Sequence, residues 1–518
     1  MDHHDVVIVG CGFSGLLCAN FLREEGIENV RVFEMNASLG GVWSHGGVGS
    51  YPGAACDVPS YTYLPLLDRT GFIPSKKYVN QGEIADYAEM LADHCGIRDL
   101  LRFSRKVTDI RYLGTGSWQV TTWDVENDCE GETVTANHVV SANGPLSSPR
   151  LPEVPGMASF TGESFHTAAW DRSASLQGKR VGIIGTGASA AQVITSIADD
   201  VESLTVIQRT PTWALPRDDE PTPPQIVKAF QAGGYSERLR KIQSGELPPD
   251  EEVLFSFEML HDEAQNSAIC QGIAARIRKE VPDPELAAAL TPDYPFFCKR
   301  VLFIDDYYTT FNKPNVTLVN EPGGVVAINA AGLEVASGDC YDFDVIIYAT
   351  GFDSNYIPFP VTGKNSATLA DRFGANAENN YQMTDPQTLW GLHVADMPNF
   401  YMMIGPQSLN PVTNVTLLCE EQAKYIAKLV AKMKTEGAVE VEPTSAAVAS
   451  WTERCNDSAE GKVWLKCNNW YTKSTKTDTG AGRKRSRLMW MESYENYLAH
   501  LYKEEGGSHN ELLNFSAG

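Results

Sequence analysis

The stretch Asp5-Val-Val-Ile-Val-Gly10-Cys-Gly12-Phe-Ser-Gly15 decides the fold, because an apolar run leads at once into closely spaced glycines. The consecutive β-branched residues 6–9 predict a buried strand of a parallel sheet. Gly10 permits a tight turn, Gly12 lets a pyrophosphate approach the backbone, and Gly15 allows the next helix to pack closely on the sheet. The N-terminus of that helix then faces the phosphates. The stretch therefore predicts a dinucleotide-binding unit.

A carboxylate follows the next predicted strand. Residues 30–33 form a second short apolar run, and this run ends in Glu34. A carboxylate at this position can accept hydrogen bonds from the hydroxyls of a ribose. We therefore interpret the first unit as a site for FAD.

A second copy of the pattern, Val181-Gly-Ile-Ile-Gly185-Thr-Gly187-Ala-Ser-Ala190, lies further along the chain. Its next strand, residues 204–207, is followed by Arg209, which stands as far from Gly185 as Glu34 stands from Gly10. A guanidinium binds a 2′-phosphate through charge-assisted, bidentate hydrogen bonds. We therefore interpret the second unit as a site for NADPH.

A third landmark sets the domain organisation. The strand-like run 345–348 leads into a turn of small residues and matches the segment 139–145, which closes the first unit. The sequence thus predicts an α/β fold with two Rossmann-like dinucleotide-binding domains, the NADPH domain inserted in the FAD domain and itself carrying a helical subdomain insert. The predicted parts are an FAD domain (1–147 and 353–518, with a mobile loop near 467–487), an NADPH domain (148–215 and 296–352) and the insert (216–295). Residues from Gly506 onward are expected to form a loosely held tail.

Composition excludes several classes of protein. The 518 residues carry a net charge of −24, which disfavours nucleic acid and anionic membranes as partners. No apolar run reaches 18 residues and no basic leader precedes the first strand, so we expect a soluble, cytoplasmic protein without an integral membrane segment. The 11 cysteines show neither C-x-x-C pairs nor zinc-ligand spacing. They are expected to be free, mostly buried thiols, which argues against a metal site and against a disulfide reductase.

The segment between the two glycine patterns carries a resemblance. Residues 160–171, Phe-Thr-Gly-Glu-Ser-Phe-His-Thr-Ala-Ala-Trp-Asp, match the fingerprint F-x-G-x-x-x-H-x-x-x-W-[P/D] of the type I Baeyer–Villiger monooxygenases, which are class B flavoprotein monooxygenases. The chain resembles this family over nearly its whole length. The fixed positions, which we assign to domain coupling, are Phe160, Gly162, His166, Trp170 and Asp171.

The resemblance implies an enzyme that uses FAD, NADPH and O₂ to insert one oxygen atom beside a ketone carbonyl, giving an ester or a lactone. The partners would then be a small-molecule ketone and O₂, and the protein a monomer or a homodimer. Arg300 would stabilise a C4a-peroxyflavin together with bound NADP⁺, and Asp57 would orient Arg300. The alternatives are an N- or S-oxygenating flavin monooxygenase, which Trp170-Asp171 disfavours, and an NADPH-dependent flavoprotein reductase or sensor.

The resemblance also assigns contacts with the two cofactors. These residues are Gly10, Gly12, Ser14, Gly15, Glu34, Gly41, Trp43, Asp57, Tyr63, Val107, Gly185, Gly187, Ser189, Ala190, Gln192, Arg209, Thr210, Lys299, Arg300 and Trp470. Three features depart from the family pattern. The segment from Trp43 to Tyr51 is longer, Ala55 stands where an arginine is common, and Asn143 replaces a threonine.

Overall fold

The computed structural model describes residues 1–248, 257–353, 359–375, 383–474, 485–502 and 511–517. The first strands are β1 (His3–Val9), β2 (Val30–Phe33), β3 (Leu101–Arg102), β4 (Arg105–Gly114), β5 (Ser117–Asp124), β6 (Cys129–Ser141), β7 (Ser148–Pro149), β8 (Glu163–His166), β9 (Arg180–Ile184), β10 (Ser203–Gln208), β11 (Ala214–Leu215) and β12 (Leu302–Phe303). The later strands are β13 (Val316–Asn320), β14 (Val325–Ile328), β15 (Gly332–Val335), β16 (Cys340–Asp342), β17 (Val345–Tyr348), β18 (Phe352–Asp353), β19 (Val361–Thr362), β20 (Phe400–Met402), β21 (Ala438–Pro443), β22 (Thr472–Ser474), β23 (Arg485–Arg487) and β24 (Leu513–Ala517).

The helices cover both faces of the sheets and fill the connections between them. They are α1 (Phe13–Glu24), α2 (Ser60–Tyr63), α3 (Leu67–Thr70), α4 (Gln81–His94), α5 (Ala188–Ile197), α6 (Pro224–Ala232), α7 (Tyr235–Gln243), α8 (Phe257–His261), α9 (Glu263–Glu280), α10 (Pro284–Leu290), α11 (Tyr307–Thr310), α12 (Leu369–Arg372), α13 (Val415–Glu436), α14 (Ser445–Ser458) and α15 (Tyr494–Tyr502). Within the described ranges, no helix combines the length and the apolar character needed to cross a membrane.

The first sheet is built around β1. Its order is β19-β4-β5-β6-β1-β2-β3, with β20 also paired to β6. β1 runs parallel to both of its neighbours, and Val7 lies opposite Val139 on one side and Arg31 on the other. Val6 and Ile8 pack into one core and Val7 and Val9 into the other. Because both faces of the strand are covered, its sequence is a continuous apolar run rather than an alternating one.

The second sheet interrupts the first along the chain. It is wholly parallel, in the order β13-β10-β9-β17-β8, and its strands come after β6 and before β19. β9 is flanked by β10 and β17, so that Val181 lies opposite Leu204 and Val345. The α/β class with parallel sheets that the sequence predicts is therefore confirmed.

The helical segment 216–295 divides its contacts between the two sheets' units. Phe230 of α6 packs in the core that holds β2 and α1, and Ser236 of α7 donates to the carbonyl of Tyr61 at 2.6 Å. Ile273 and Ile277 of α9 instead belong to the core that contains β9 and β10. The segment thus contacts elements of both units, and its assignment to the NADPH domain stays a prediction.

The C-terminal residues differ from the expected loose tail. Residues 503–510 lie outside the described ranges, but β24 pairs antiparallel with β21, with Phe515 opposite Val441. Leu513 of β24 is only 1% exposed. The prediction of a loosely held tail is therefore wrong for β24.

Candidate active site

The first glycine turn has the geometry that a phosphate cradle requires. Gly10 has φ +104°, and a Cβ there would lie 2.6 Å from the carbonyl oxygen of Ala142. A Cβ at Gly15 would collide with the carbonyl oxygen of Gly10. α1 begins at Phe13, and in the described part of the chain no side chain caps its first turn. Its leading backbone N–H groups therefore suit an anion such as the diphosphate of FAD.

A second loop closes over this turn. Gly41 has φ +60°, and a Cβ on it would lie 2.9 Å from the Cα of Gly12, so the two backbones meet closely. The hydroxyl of Ser14 and the thiol of Cys419, on α1 and α13, are 3.2 Å apart. These contacts leave the first turn flanked by backbone rather than by bulky side chains.

Glu34 lies at the end of β2, next to the glycine turn. One carboxylate oxygen accepts the backbone N–H of Cys11 at 2.8 Å, and the other accepts that of Asn36 at 2.9 Å. Burial raises the pKa of Glu34, although these hydrogen bonds favour its ionised form. Oε1 also accepts the side-chain amide of Asn36 at 2.7 Å, whereas Oε2, among the described residues, accepts only the N–H of Cys11 and keeps a lone pair that suits a ribose hydroxyl.

The flavin-side residues of the sequence prediction form a small aromatic cluster. The indole N–H of Trp43 donates to the Tyr63 hydroxyl at 2.7 Å, and the two rings meet edge to face. The side-chain amide of Gln81 donates to the carbonyl of Trp43 at 2.7 Å. Val107, on β4, is buried, with 4% of its surface exposed. Gln81 was not among the predicted site residues, because nothing in its local sequence marks it.

The second glycine turn repeats the first. Gly185 has φ +118°, and a Cβ there would lie 2.5 Å from the carbonyl oxygen of Ala349. A Cβ built at Gly187 would meet no described atom within 4 Å, so the turn opens onto free space. α5 begins with Ala188 and Ser189, and Ala190 is fully buried where the first copy has Gly15. The turn therefore fits a second dinucleotide.

Two cations lie close to each other beyond the second turn. Burial and, next, the positive charge of Arg209 lower the pKa of Lys299. The ammonium of Lys299 lies 4.9 Å from the centre of the Tyr294 ring. Thr210 follows Arg209, and its carbonyl accepts the hydroxyl of Thr186 at 2.7 Å. Like charges at short range repel each other, so this pair fits an anion such as the 2′-phosphate of NADPH.

A polar contact joins the two units between their turns. The hydroxyl of Tyr51 donates to the Gln192 side chain at 2.9 Å, and the amide of Gln192 donates to the carbonyl of Ala55 at 2.8 Å. Gln192 is on α5, whereas Tyr51 and Ala55 belong to the chain that follows the first turn. Tyr51 was not among the predicted site residues, since only the fold reveals its contact with Gln192.

Arg300 and Asp57 meet in a two-point ion pair. Nη2 of Arg300 lies 2.8 Å from Oδ1 of Asp57, and Nε lies 3.2 Å from Oδ2. The third nitrogen, Nη1, donates to the carbonyl of Pro411 at 3.3 Å. The negative charge of Asp57 raises the pKa of Arg300, and burial only partly opposes this. About a third of the side chain stays exposed, at 35%.

The family resemblance implies that a strand delivers Arg300, but Arg300 lies outside the strands. It follows the turn 295–298 and precedes β12, which begins at Leu302. Phe297 in this turn has φ +62°, a conformation that is unusual for an aromatic residue. The turn redirects the chain so that Arg300 faces Asp57.

Cys298 and Cys467 form a disulfide, with an S–S distance of 2.11 Å and a sequence separation of 169. The expectation of 11 free thiols is therefore wrong for this pair, because no local spacing signals a bond between such distant positions. The other nine cysteines are free, but Cys129 and Cys340 are exposed rather than buried.

The disulfide brings Trp470 and Tyr471 to the Arg300 side of the molecule. Trp470 is 43% exposed, and its ring centre lies 4.7 Å from that of Tyr471. Burial raises the pKa of Tyr471 to about 12, and the nearby charge of Arg300 moderates this shift. Within the predicted mobile loop near 467–487, β22 and β23 pair antiparallel, and residues 475–484 lie outside the described ranges. Tyr471 is a site residue that adjacency to Trp470 could have indicated.

The fingerprint segment lies where the chain crosses between the units. His166 ends β8 opposite Tyr348, and its ring packs edge to face on Phe352, 5.8 Å away. Its Nδ1 accepts the N–H of Ala168 at 3.0 Å. Burial lowers the pKa of His166. Phe352 belongs to β18, which pairs antiparallel with β7 where the chain crosses between the units a second time.

The remaining fingerprint residues shape this crossing. A Cβ at Gly162 would collide with the carbonyl oxygen of Asp344 and with the ring of Phe160. Trp170 packs edge to face on Phe165, with ring centres 4.9 Å apart. Asp171 accepts the backbone N–H of Ser173 at 2.8 Å, which fixes the turn after Trp170.

The longer segment after Trp43 turns toward α4. The backbone N–H of Gly46 donates to the hydroxyl of Ser50 at 3.0 Å, which closes this segment into a loop. Nε2 of His45 lies 3.1 Å from Oδ1 of Asp86, with both side chains exposed. His45 thus belongs to a surface pair.

Comparisons with known proteins find similar proteins over most of the chain. A family model for flavin-binding monooxygenase-like proteins matches residues 3–232. A Baeyer–Villiger monooxygenase of Streptomyces coelicolor is 34% identical over 488 residues, covering 92% of this chain and 88% of that protein. The crystal structure of OTEMO with FAD and NADP has a TM-score of 0.87 at 29% identity, with 99% of each chain covered. That of cyclohexanone monooxygenase from Rhodococcus sp. Phi1 with NADP⁺ has a TM-score of 0.85 at 30% identity, with 100% of each covered.

Proposed function

Because the chain belongs to the Baeyer–Villiger monooxygenases, which depend on FAD and NADPH, we propose that Arg300 is the residue on which oxygen insertion depends. In the reaction, one atom of O₂ enters the bond beside a ketone carbonyl and gives an ester or a lactone. The other atom leaves as water while NADPH is oxidised to NADP⁺. When bound, FAD supplies the activation of O₂ and NADPH supplies the electrons.

The ion pair with Asp57 is the observation that carries this proposal. A guanidinium keeps its proton at any working pH, so Arg300 offers a permanent positive charge. Asp57 holds two of its nitrogens, and the carbonyl of Pro411 holds the third. The orientation is thus fixed before a substrate arrives. Arg300 can then stabilise the negative charge that develops on the carbonyl oxygen of the ketone, an effect of about 3 kcal/mol for one preorganised donor.

The other site residues bind and enclose the cofactors. The first glycine turn and Glu34 would hold FAD, with 1–147 and 353–518 as its domain. The second turn, Arg209 and Lys299 would hold NADPH. Trp470 would cover bound NADP⁺ and exclude water from the site. His166 and the rest of the fingerprint would couple the two domains.

Replacement of Arg300 by alanine tests the proposal. We expect Arg300→Ala to retain bound FAD and reduction by NADPH, because the two glycine turns, Glu34 and Arg209 would still hold the cofactors. Ester formation should fall at least about 100-fold, the usual cost of losing one preorganised stabilising group. Oxygen uptake, hydrogen peroxide and ester product are measured together with a panel of ketones.

Arg180→Ala is a matched control. Arg180 makes the same two-point contact with Asp344, at 2.9 and 3.3 Å, but it lies at the start of β9, far from the glycine turn at the other end of that strand. This variant should form ester at the wild-type rate. Ester formation by Arg300→Ala at a rate close to that of Arg180→Ala would remove Arg300 from the mechanism.

A further inference from the structure

The segment that carries Trp470 and Tyr471 is fastened to the segment that carries Arg300. The Cys298–Cys467 disulfide joins the two covalently. Beside it, the side-chain amide of Asn469 donates to the carbonyl of Cys298 at 2.9 Å. The carbonyl oxygen of the same side chain accepts the N–H of Tyr471 at 3.1 Å. Arg300 and Tyr471 are therefore positioned by one shared set of contacts.

The turn before Arg300 needs such support. Phe297 has φ +62°, which a side chain of this size adopts only when its surroundings impose it. On one side, the buried amide of Asn266 accepts the N–H of Phe296 and donates to its carbonyl, both at 3.0 Å. On the other side, the support comes from Cys467 and Asn469. Loss of the disulfide would leave the turn held firmly on one side only.

We propose that Cys298 and Cys467 form a reversible redox clamp that fixes Arg300 against Tyr471 and holds Trp470 over the NADP⁺ site. The proposal rests on the function proposed above for Arg300. The two sulfurs differ in access, because Cys298 is fully buried and Cys467 is half-buried, so a thiol reagent can reach the pair from the Cys467 side.

The state of the other cysteines argues that the bond is reversible. Nine of them are free, and these include the exposed Cys129 and Cys340. Exposed free thiols are typical of proteins of reducing environments, where disulfides are usually transient and redox-sensing. A single disulfide placed between two parts of a catalytic site fits this use.

Hydrogen peroxide is the oxidant that the enzyme itself can supply. When reduction of O₂ is not followed by transfer to a ketone, the products are NADP⁺ and hydrogen peroxide. The thiolate of Cys467 attacks one peroxide oxygen, the O–O bond breaks, and the departing hydroxide takes up a proton to become water. The thiol of Cys298 then attacks the oxidised sulfur and displaces a second water, forming the S–S bond. Two thiols and one peroxide thus give one disulfide and two waters.

The clamp would act as negative feedback on wasted turnover. In the oxidised state, with the disulfide formed, Trp470 and Tyr471 cannot move away from the Arg300 turn. NADP⁺ then leaves slowly, and less hydrogen peroxide is released. In the reduced state, this segment is held by hydrogen bonds alone. We therefore expect reduction to speed the release of NADP⁺ and to raise the amount of peroxide formed per NADPH, each by about fivefold, the lower end of typical couplings between two sites.

The test uses the full-length enzyme loaded with FAD. Peptide mapping without reductant should detect a peptide that cross-links Cys298 to Cys467 after peroxide treatment, and thiol reductant should remove it. NADP⁺ release and peroxide yield are then compared in the two states of the same protein. Cys467→Ser should behave like reduced enzyme and should not respond to reductant, whereas Cys129→Ser, which removes an exposed thiol, should respond like wild type.

Two results would overturn the clamp. One is the absence of the cross-linked peptide after peroxide treatment, and the other is equal NADP⁺ release by oxidised and reduced wild-type enzyme. The comparison within wild type keeps the test valid if Cys467→Ser folds poorly. Neither readout requires ester formation, so failure of the clamp and failure of the role proposed for Arg300 are separate outcomes.

Discussion

At the scale of the residue, Arg209 and Lys299 are the pair that we propose to set the choice of nicotinamide cofactor. They come from distant parts of the chain, yet each lies near enough to the other for the charge of Arg209 to depress the pKa of Lys299. Without an anion, this arrangement is electrostatically unfavourable. A 2′-phosphate between them would relieve the repulsion and add charge-assisted hydrogen bonds, whereas NADH offers only a hydroxyl there.

We therefore expect Arg209→Ala to weaken NADPH binding by about 30-fold, which corresponds to roughly 2 kcal/mol for a hydrogen bond to a charged group. NADH binding should change little, because NADH lacks the phosphate. Stopped-flow reduction of bound FAD at varied NADPH and NADH concentrations measures both affinities. Lys179→Ala, an exposed cation just before β9, is the control and should affect neither. Equal weakening of NADPH and NADH would refute the assignment.

The sequence predicted the geometry of the two glycine turns, because that signal is local. Each glycine acts through the turn in which it lies, so Gly10 and Gly185 could be assigned from their neighbours alone. Tyr51 and Asn469 could not, because their partners lie on other segments. The Cys298–Cys467 bond is the extreme case, since neither cysteine has a local feature that separates it from the other nine.

At the scale of the element, the same distinction holds for strands. β2 has the predicted bounds, because an apolar run between polar residues marks a buried parallel strand. β24 was missed, since its alternating pattern is short and its partner, β21, lies far back in the chain. The segment before Arg300 was expected to be a strand, but the positive φ of Phe297 makes it a turn. Pairing and turn geometry of this kind are set by tertiary contacts.

β24 should contribute measurably to stability, although it is five residues long and close to the C-terminus. Leu513 is 1% exposed and packs in the core that includes α13. Leu513→Ala should lower the free energy of unfolding by about 3 kcal/mol, because it removes a buried side chain and leaves a cavity. Urea denaturation, followed by circular dichroism, measures this change.

The neighbouring residue provides the control for this prediction. Asn514 is exposed on the same strand, so Asn514→Ala should change the free energy of unfolding by less than about 0.5 kcal/mol. Similar values for the two variants would mean that β24 does not pack as described.

At the scale of the molecule, the segment 216–295 is one of the connections between the two units, beside the contact of Gln192 with Tyr51 and the Arg300–Asp57 ion pair. Phe230 of α6 packs in the core that holds α1, and α9 packs in the core that holds β9 and β10. His261 of α8 packs on Trp464 of the first unit. The prediction of a helical insert in the NADPH domain rests on position in the sequence, since α6 to α10 lie between two parts of that domain, and it stays a prediction. Position along the chain does not determine which surface a helix covers, and the apolar faces of these helices fit two different cores.

A buried ion pair secures the first half of this bridge. Arg240 of α7 contacts Glu420 of α13 at 2.5 Å and donates to the carbonyl of Thr62 at 2.8 Å. Burial favours protonation of Glu420, but the charges of Arg240 and Lys424 outweigh it and lower its pKa. The side chains of the pair are only 9% and 12% exposed, so removal of one partner leaves the other with a charge in a poorly solvated position.

Arg240→Ala should therefore loosen α6 and α7 from the first unit. We expect the free energy of unfolding to fall by about 3 kcal/mol, the lower end of the usual range for a broken buried ion pair. The value is low because Lys424, 2.8 Å from Glu420, still balances the charge of the carboxylate. Limited proteolysis should show faster cleavage within 216–248. α9 and α10 should stay protected, because Ile277 and Leu290 are buried in the core that also contains β9 and β10. Lys241→Ala, which removes an exposed pair with Glu237 on the same helix, is the control and should leave the cleavage rate unchanged. If both variants are cleaved at the wild-type rate, the bridge is held by the apolar contacts of Phe230 and its neighbours rather than by Arg240.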